Sequence, residues 1–153
     1  MKIGITGHRQ LNHSELTIKQ ALKKLYIENK ADLVISGMAL GFDTLAAEVA
    51  LENNIPYIAA IPFVEQAKLW PKKDQEKYLF LLEYAKEIYI QPEAETGNRI
   101  FAGYFGRNRW IVTNTELLIA YIANYKDGGT ADTWNYAEKL GRSRVNIIDH
   151  IIF

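Results

Sequence analysis

Two kinds of apolar pattern alternate along this chain. Short blocks rich in consecutive apolar residues fall at 2–6, 31–35, 56–61, 87–90, 116–122 and 144–148. Most are bounded by glycine, proline or polar residues, as expected for strands buried on both faces of a parallel sheet. Between them, apolar residues recur at helical spacing. Ser14 is a plausible N-cap for a helix over about 15–29, with Leu16, Ala21, Leu22, Leu25 and Tyr26 on its apolar face. A second helix opens at Gly41 and carries Phe42, Leu45, Ala46, Val49 and Ala50 on one face. Further helices are predicted over 72–86, around 106–114 and over 130–140. Residues 63–71 read as a connection with Trp70 exposed or half-buried, and 91–96 as a turn-rich loop. The strand-helix alternation predicts an α/β fold, three-layer and Rossmann-like, with a mainly parallel sheet and helices on both faces. It is read as one domain over 1–153.

In such a sheet the loops after the strands gather at one rim, where open α/β folds bind ligands. The stretch SGMALGFDTLAAEVAL, residues 36–51, places Ser36 and Gly37 at the end of a strand and Gly41 at a helix start. The first amides of a helix lack intrahelical partners and carry partial positive charge, so this turn is a candidate anion site. Gly128, Gly129 and Thr130 make a second such start; for that triplet alone a simple turn with Thr130 as N-cap is the favoured reading, and joined to the first glycine turn the binding reading becomes the better one. Gly7, His8 and Arg9 follow the first strand. Arg107 and Arg109 lie before the fifth, and the arginine fork suits phosphate, although surface arginines are commonly just solvated. Asp43 and Glu48 are candidates for ribose contact or acid/base work, with Asp43 also placed to stabilise its helix's first turn. Phe63, Trp70, Tyr104 and Phe105 are candidates to stack on a base, against a background in which most aromatics are core.

Composition narrows the classes. Lys plus Arg and Asp plus Glu both number 18, so the net charge is zero and a broad nucleic-acid surface is disfavoured. There are no cysteines, which removes disulfides and thiolate metal sites. His8, His13 and His150 are too scattered to propose a metal, and the residues call for no cofactor. The N-terminal MKIGITGHRQ has neither the charge pattern nor the apolar length of a signal peptide or membrane span, so a cytoplasmic protein without membrane contact is expected.

TGHR near the start, SGMALGFDTLAAEVAL, PFVEQAKLWPKKDQEKY, GRNRW and DGGTADTWNYA occur in an order that resembles the SLOG superfamily. That group joins the DNA-processing protein A fold to the LONELY GUY lysine-decarboxylase-like proteins, and the chain looks most like its YpsA-like branch of bacteria and phages. The resemblance covers nearly the whole chain. It implies a Rossmann-like fold that binds nucleotides or nucleotide-derived ligands, and homo-oligomers, since related folds often form dimers. LONELY GUY enzymes cleave the N-glycosidic bond of nucleoside monophosphates. Arg107 matches their arginine by its spacing to Ile111 and Glu116, with Asn108 in place of the following lysine. Gly128 and Gly129 match their paired glycines. Trp134 or Asn135 stands where their catalytic glutamate does, with Glu138 one turn further on.

Three functions follow. The leading one is a nucleotide-ligand-binding protein, a sensor or a sequestering protein. It would seat phosphate on the two glycine helix starts and draw charge from Arg9, Arg107 or Arg109. The second is a nucleotide N-glycosidase (phosphoribohydrolase-like) using Glu48 or Asp43, with Arg107 on the phosphate. The third is a DNA-binding module, which the neutral charge disfavours.

Overall fold

The computed structural model describes residues 1–151. Six strands, β1 (Lys2–Gly7), β2 (Leu33–Ser36), β3 (Tyr57–Ile61), β4 (Glu87–Ile90), β5 (Leu117–Tyr121) and β6 (Ser143–Asn146), form one sheet in the order β4-β3-β2-β1-β5-β6. Every pairing is parallel. Helices α1 (Glu15–Glu28), α2 (Phe42–Glu52) and α3 (Lys72–Tyr84) cover one face, and α4 (Arg99–Thr113) and α5 (Gly128–Lys139) the other. The predicted three-layer Rossmann-like architecture is what the chain adopts.

The larger core lies under α1 to α3, where Ile3, Ile5, Ile18, Leu22, Phe42 and Ile119 pack together. A fully buried Leu, Ile or Phe stabilises the fold by roughly 1.5–3 kcal/mol, so this layer supplies much of the driving force. Under α4 and α5 the layer is made of smaller clusters, Ile111 on Ile35, Ile58 and Ala60, and Val112 on Leu118 and Ala137.

Four local expectations change. Leu16 points to solvent and Ile18 takes its place on the buried face of α1. Trp70 is only 8% exposed, its ring edge-on to Tyr78 at 5.1 Å, so the 63–71 connection is anchored by its aromatic end. Helix α4 begins at Arg99, well before residue 106. Asn98 caps it by accepting the Phe101 N–H at 3.0 Å, and Gly103 and Gly106 lie within it where neighbouring chain leaves no room for a Cβ. A Cβ on Gly103 would lie 3.0 Å from the Pro62 carbonyl oxygen, and one on Gly106 2.5 Å from the Gln91 side chain. The last strand stops at Asn146, whose side chain accepts the Ile148 N–H at 3.2 Å and starts a 3₁₀ turn, Ile147–His150. Of the apolar C-terminal triplet, Ile151 is buried on the main core, while Ile152 and Phe153 lie outside the described residues.

From β1 the chain steps outward through β2, β3 and β4, then returns to place β5 on the other side of β1. β1 and β5 are therefore the switch point of the sheet, with Gly7 opposite Tyr121 at their carboxyl ends. Loops leaving those two strands diverge to opposite faces and open a cleft between them.

Candidate functional site

A cleft of about 650 Å³ lies at this switch point. Gly7, His8 and Arg9 enter it from the end of β1, Asp43 from the first turn of α2, Tyr104, Arg107 and Asn108 from α4, and Gly128, Gly129 and Thr130 from the start of α5. Fold topology thus collects residues separated by more than a hundred positions.

The two glycine turns differ in kind. Around the first, the backbone is committed to the protein itself. The Phe42 N–H donates to the His8 carbonyl at 3.2 Å, the Ala39 N–H to Asp43 Oδ2 at 3.4 Å, and the Thr44 N–H to the Ala39 carbonyl at 3.2 Å. Ser36 is fully buried, donating its hydroxyl to the Asp43 carbonyl at 2.7 Å and accepting the Met38 N–H at 3.2 Å. Gly41 has φ +89°, and a Cβ there would come within 2.6 Å of the His8 carbonyl oxygen. Gly7 leaves room for the Phe42 ring and Gly37 for the Arg107 guanidinium. These three glycines let the β1 loop, the β2 loop and α2 pack closely, and no ligand is needed to account for them.

The start of α5 is open. Asp127 occupies the N-cap with no side-chain cap bond, and the amides of Gly128, Gly129 and Thr130 have no acceptor among the described residues. Space above Gly128 is empty to 4 Å, and only Asn108 Nδ2, at 3.7 Å, approaches Gly129. Thr130 is not the cap. It is a buried member of the first turn.

Arg107 is only 3% exposed and turns inward. Its Nη1 donates to the carbonyls of Gly37 and Ala60, the latter at 3.1 Å, and to Gln66 Oε1 at 3.5 Å, while Nε donates to Asn108 Oδ1 at 2.8 Å. Gln66 completes the knot by donating to the Gly37 carbonyl at 3.2 Å. The side chain therefore ties α4 to the ends of β2 and β3 and supplies positive charge from below the cleft. Arg109 is set apart, bridged to Asp132 at 3.3 Å and sandwiched by the Phe105 and Tyr136 rings at 4.3 and 3.8 Å.

Asp43 is 6% exposed, and its Oδ1 has no hydrogen-bond partner. Burial raises its pKa from the ordinary 3.8 to about 6, against the charge of Arg107, the Ala39 N–H and the charge of Arg9. His8 Nε2 accepts the Ala123 N–H at 2.9 Å, which places the proton of the neutral ring on Nδ1, and burial lowers its pKa. Glu48 does not reach the cleft. It lies on the flank of α2, paired with Lys19 at 3.1 Å and Lys77 at 2.6 Å. Burial opposes its ionisation, but hydrogen bonds and charge from Lys77 and Lys19 prevail and hold its carboxyl below the ordinary value.

Sequence reasoning gave Gln66 no role and noted Asn108 only as a replacement for the family lysine. Only the folded packing shows Gln66 buried against Arg107. No group of three or more His, Cys, Asp or Glu side chains among the described residues is arranged to hold a metal, and no helix among them is long and apolar enough to cross a membrane.

Comparison with known proteins places these features in a family. Residues 1–152 match the family described as DNA recombination-mediator protein A. DNA processing protein A from Streptococcus pneumoniae superposes with a TM-score of 0.66 at 22% identity, over 98% of this chain and 52% of that one, so the chain spans about half its length. Its counterpart from Helicobacter pylori, described for a single-stranded DNA binding mode, gives 0.66 at 18% identity over 98% and 70%. The molybdenum cofactor carrier protein from Chlamydomonas reinhardtii gives 0.59 at 16% identity over 95% and 74%. At these identities the solved structures speak for the fold alone. No curated protein matches the chain. Family match and structural neighbours both fit the SLOG superfamily, and the chain belongs to the DNA recombination-mediator protein A family.

Proposed function

We propose that the switch-point cleft binds a nucleotide or nucleotide-derived ligand and that the protein works as a sensor or sequestering protein of the YpsA-like branch. One observation carries this reading. The uncapped start of α5 opens into the same cleft as Arg9 and a buried carboxylate with an unsatisfied oxygen. Free amides at a helix start suit a phosphate, and Arg9 adds charge beside them. Asp43 Oδ1 is an acceptor in want of a donor, which a ribose hydroxyl or a base amino group supplies. Tyr104 and Phe101 on the α4 wall offer aromatic surface to a base. A molybdenum cofactor carrier protein among the structural neighbours is compatible with small-ligand binding on this fold.

The test is a thermal-shift screen of the intact chain against nucleoside monophosphates, dinucleotides and cyclic nucleotides, followed by calorimetry. A ligand that binds the native state raises the melting temperature by mass action. The reading expects at least one phosphorylated nucleoside to do so and its unphosphorylated nucleoside to do so less. No shift across the panel overturns it.

A second reading, nucleotide N-glycosidase, draws support from the Asp43 carboxyl alone, raised to about 6 inside the cleft. Glu48, turned away into its lysine pairs, does not support it. Release of free base, lost in Asp43→Asn, would make the protein an enzyme; binding with no base released would leave it a binder.

A further inference from the structure

Asn108 stands on α4 between the buried Arg107 and the open start of α5, and it lines the switch-point cleft. Its orientation is set from one side. Arg107 Nε can only donate, so the Asn108 atom that it meets at 2.8 Å is the carbonyl oxygen, Oδ1. Arg107 is itself held, with Nη1 donating to the Gly37 and Ala60 carbonyls and to Gln66. The amino end of Asn108 is therefore turned the other way, towards α5, where Nδ2 lies 3.7 Å from the place a Cβ on Gly129 would take. Its two N–H groups have no acceptor among the described residues. Neither have the amides of Gly128, Gly129 and Thr130, which open into the same space. Donors from two elements thus converge on one place. The full charges nearby are already balanced, Arg109 by Asp132 at 3.3 Å, and Arg107 and Arg9 by Asp43, on which both act. What remains is a set of neutral N–H groups, some on a side chain held in one orientation and the rest at a helix start. A group with several acceptor oxygens suits that set, because each N–H finds its own oxygen.

We infer that Asn108 is the residue that makes the cleft select a phosphorylated ligand: its Nδ2 donates to a phosphate oxygen seated on the start of α5, and Arg107 holds the amide in the donating orientation. This inference rests on the nucleotide reading of the cleft and adds to it a donor on α4 that closes the phosphate against α5. Arg107 then works as a positioning residue, through Asn108, without touching the ligand. An Asn108 that served only to hold Arg107 would need its oxygen alone. The inference needs its nitrogen.

Asn108→Asp separates the two roles. It keeps an oxygen for Arg107 Nε and puts an acceptor of nearly the same shape where the donor stood. Calorimetry on the natural chain and the variant compares the 5′-monophosphates of adenosine, guanosine, cytidine and uridine with the corresponding nucleosides. The ratio of nucleotide to nucleoside affinity is expected to fall about tenfold or more in the variant, as loss of a hydrogen bond to a charged group implies. A second measurement needs no variant. In isotope-labelled natural chain, the side-chain amide signals of Asn108 are expected to move on adding the nucleotide and to move far less on adding its nucleoside. A ratio unchanged in Asn108→Asp, or amide signals that move no more with nucleotide than with nucleoside, overturns this inference and leaves the nucleotide reading standing. Binding of no nucleotide by the natural chain overturns both.

Discussion

Asp43 and Arg107 show how burial decides what a charged residue does. Because the folded pKa of Asp43 is raised to about 6, the native state holds its proton more tightly than the unfolded chain does. Between pH 4 and 6 the native state binds more protons than the unfolded one, so this group's contribution to stability falls as pH rises through that window. The loss is on the order of 3 kcal/mol. Asp43→Asn, which cannot ionise, is therefore expected to be more stable relative to the natural chain at pH 7 than at pH 4, as read from urea unfolding. An equal difference at both pH values would show that the carboxyl is not desolvated. Arg107→Met removes charged hydrogen bonds to the Ala60 and Gly37 carbonyls and to Asn108, and a loss of roughly 3 kcal/mol or more is expected in the same assay. Both residues were legible as candidates, Asp43 from the first turn of the helix after a glycine turn and Arg107 from its place before the fifth strand. Their direction was not. A helical arginine looks the same in sequence whether it faces solvent, a phosphate or a carbonyl, and only the approach of Gly37 and Gln66 settles it.

Among elements, the start of α5 and the flank of α2 divide the chemistry from the scaffold. Gly128 has φ +92°, so Gly128→Ala is expected to lose about 1–2 kcal/mol through left-handed backbone strain. Gly129 lies within the helix with open space around its Cβ, so Gly129→Ala gains up to about 1 kcal/mol of helix propensity. The same methyl crowds the open amides, so a higher melting temperature together with weaker nucleotide binding is the expected pair of results. If Gly129→Ala binds as tightly as the natural chain, phosphate does not sit there. Glu48 instead joins α1 and α3 to α2 through Lys19 and Lys77. Glu48→Ala is expected to lower the melting temperature while leaving ligand affinity within about twofold, because partly exposed pairs act on stability alone and modestly. Helix α4 marks where pattern reading fell short. Its first two turns hold two glycines and exposed Ile100 and Phe101, so they lack both the propensity and the buried face that announce a helix.

Across the whole molecule, the strand order does what no single motif does. Running outward from β1 to β4 and returning beside β1 brings residues 7–9, 43, 104–108 and 128–130 to one rim. Opposite charges balance at 18 each, and the basic side chains lining the switch-point cleft are Arg9 and Arg107. Affinity for a rim ligand is accordingly expected to fall with salt on a log–log slope no steeper than about −2, measured between about 50 and 200 mM salt. A slope near about −5 for a single-stranded oligonucleotide would instead mean phosphate contacts well beyond the cleft.

Taken alone, the sequence determined the α/β alternation, the parallel sheet and the glycine-marked turns at its rim, because these follow from local periodicity and backbone freedom. Tertiary structure decided which turn is open. Gly7, Gly37 and Gly41 are filled by Phe42, Arg107 and the His8–Arg9 backbone, while Gly128 and Gly129 face empty space. It also turned Glu48 outward, drew Gln66 under Arg107 and set Arg9 in one cleft with Asp43. Each of these depends on what a residue meets across tens of positions of chain, and a one-dimensional pattern carries no record of that meeting.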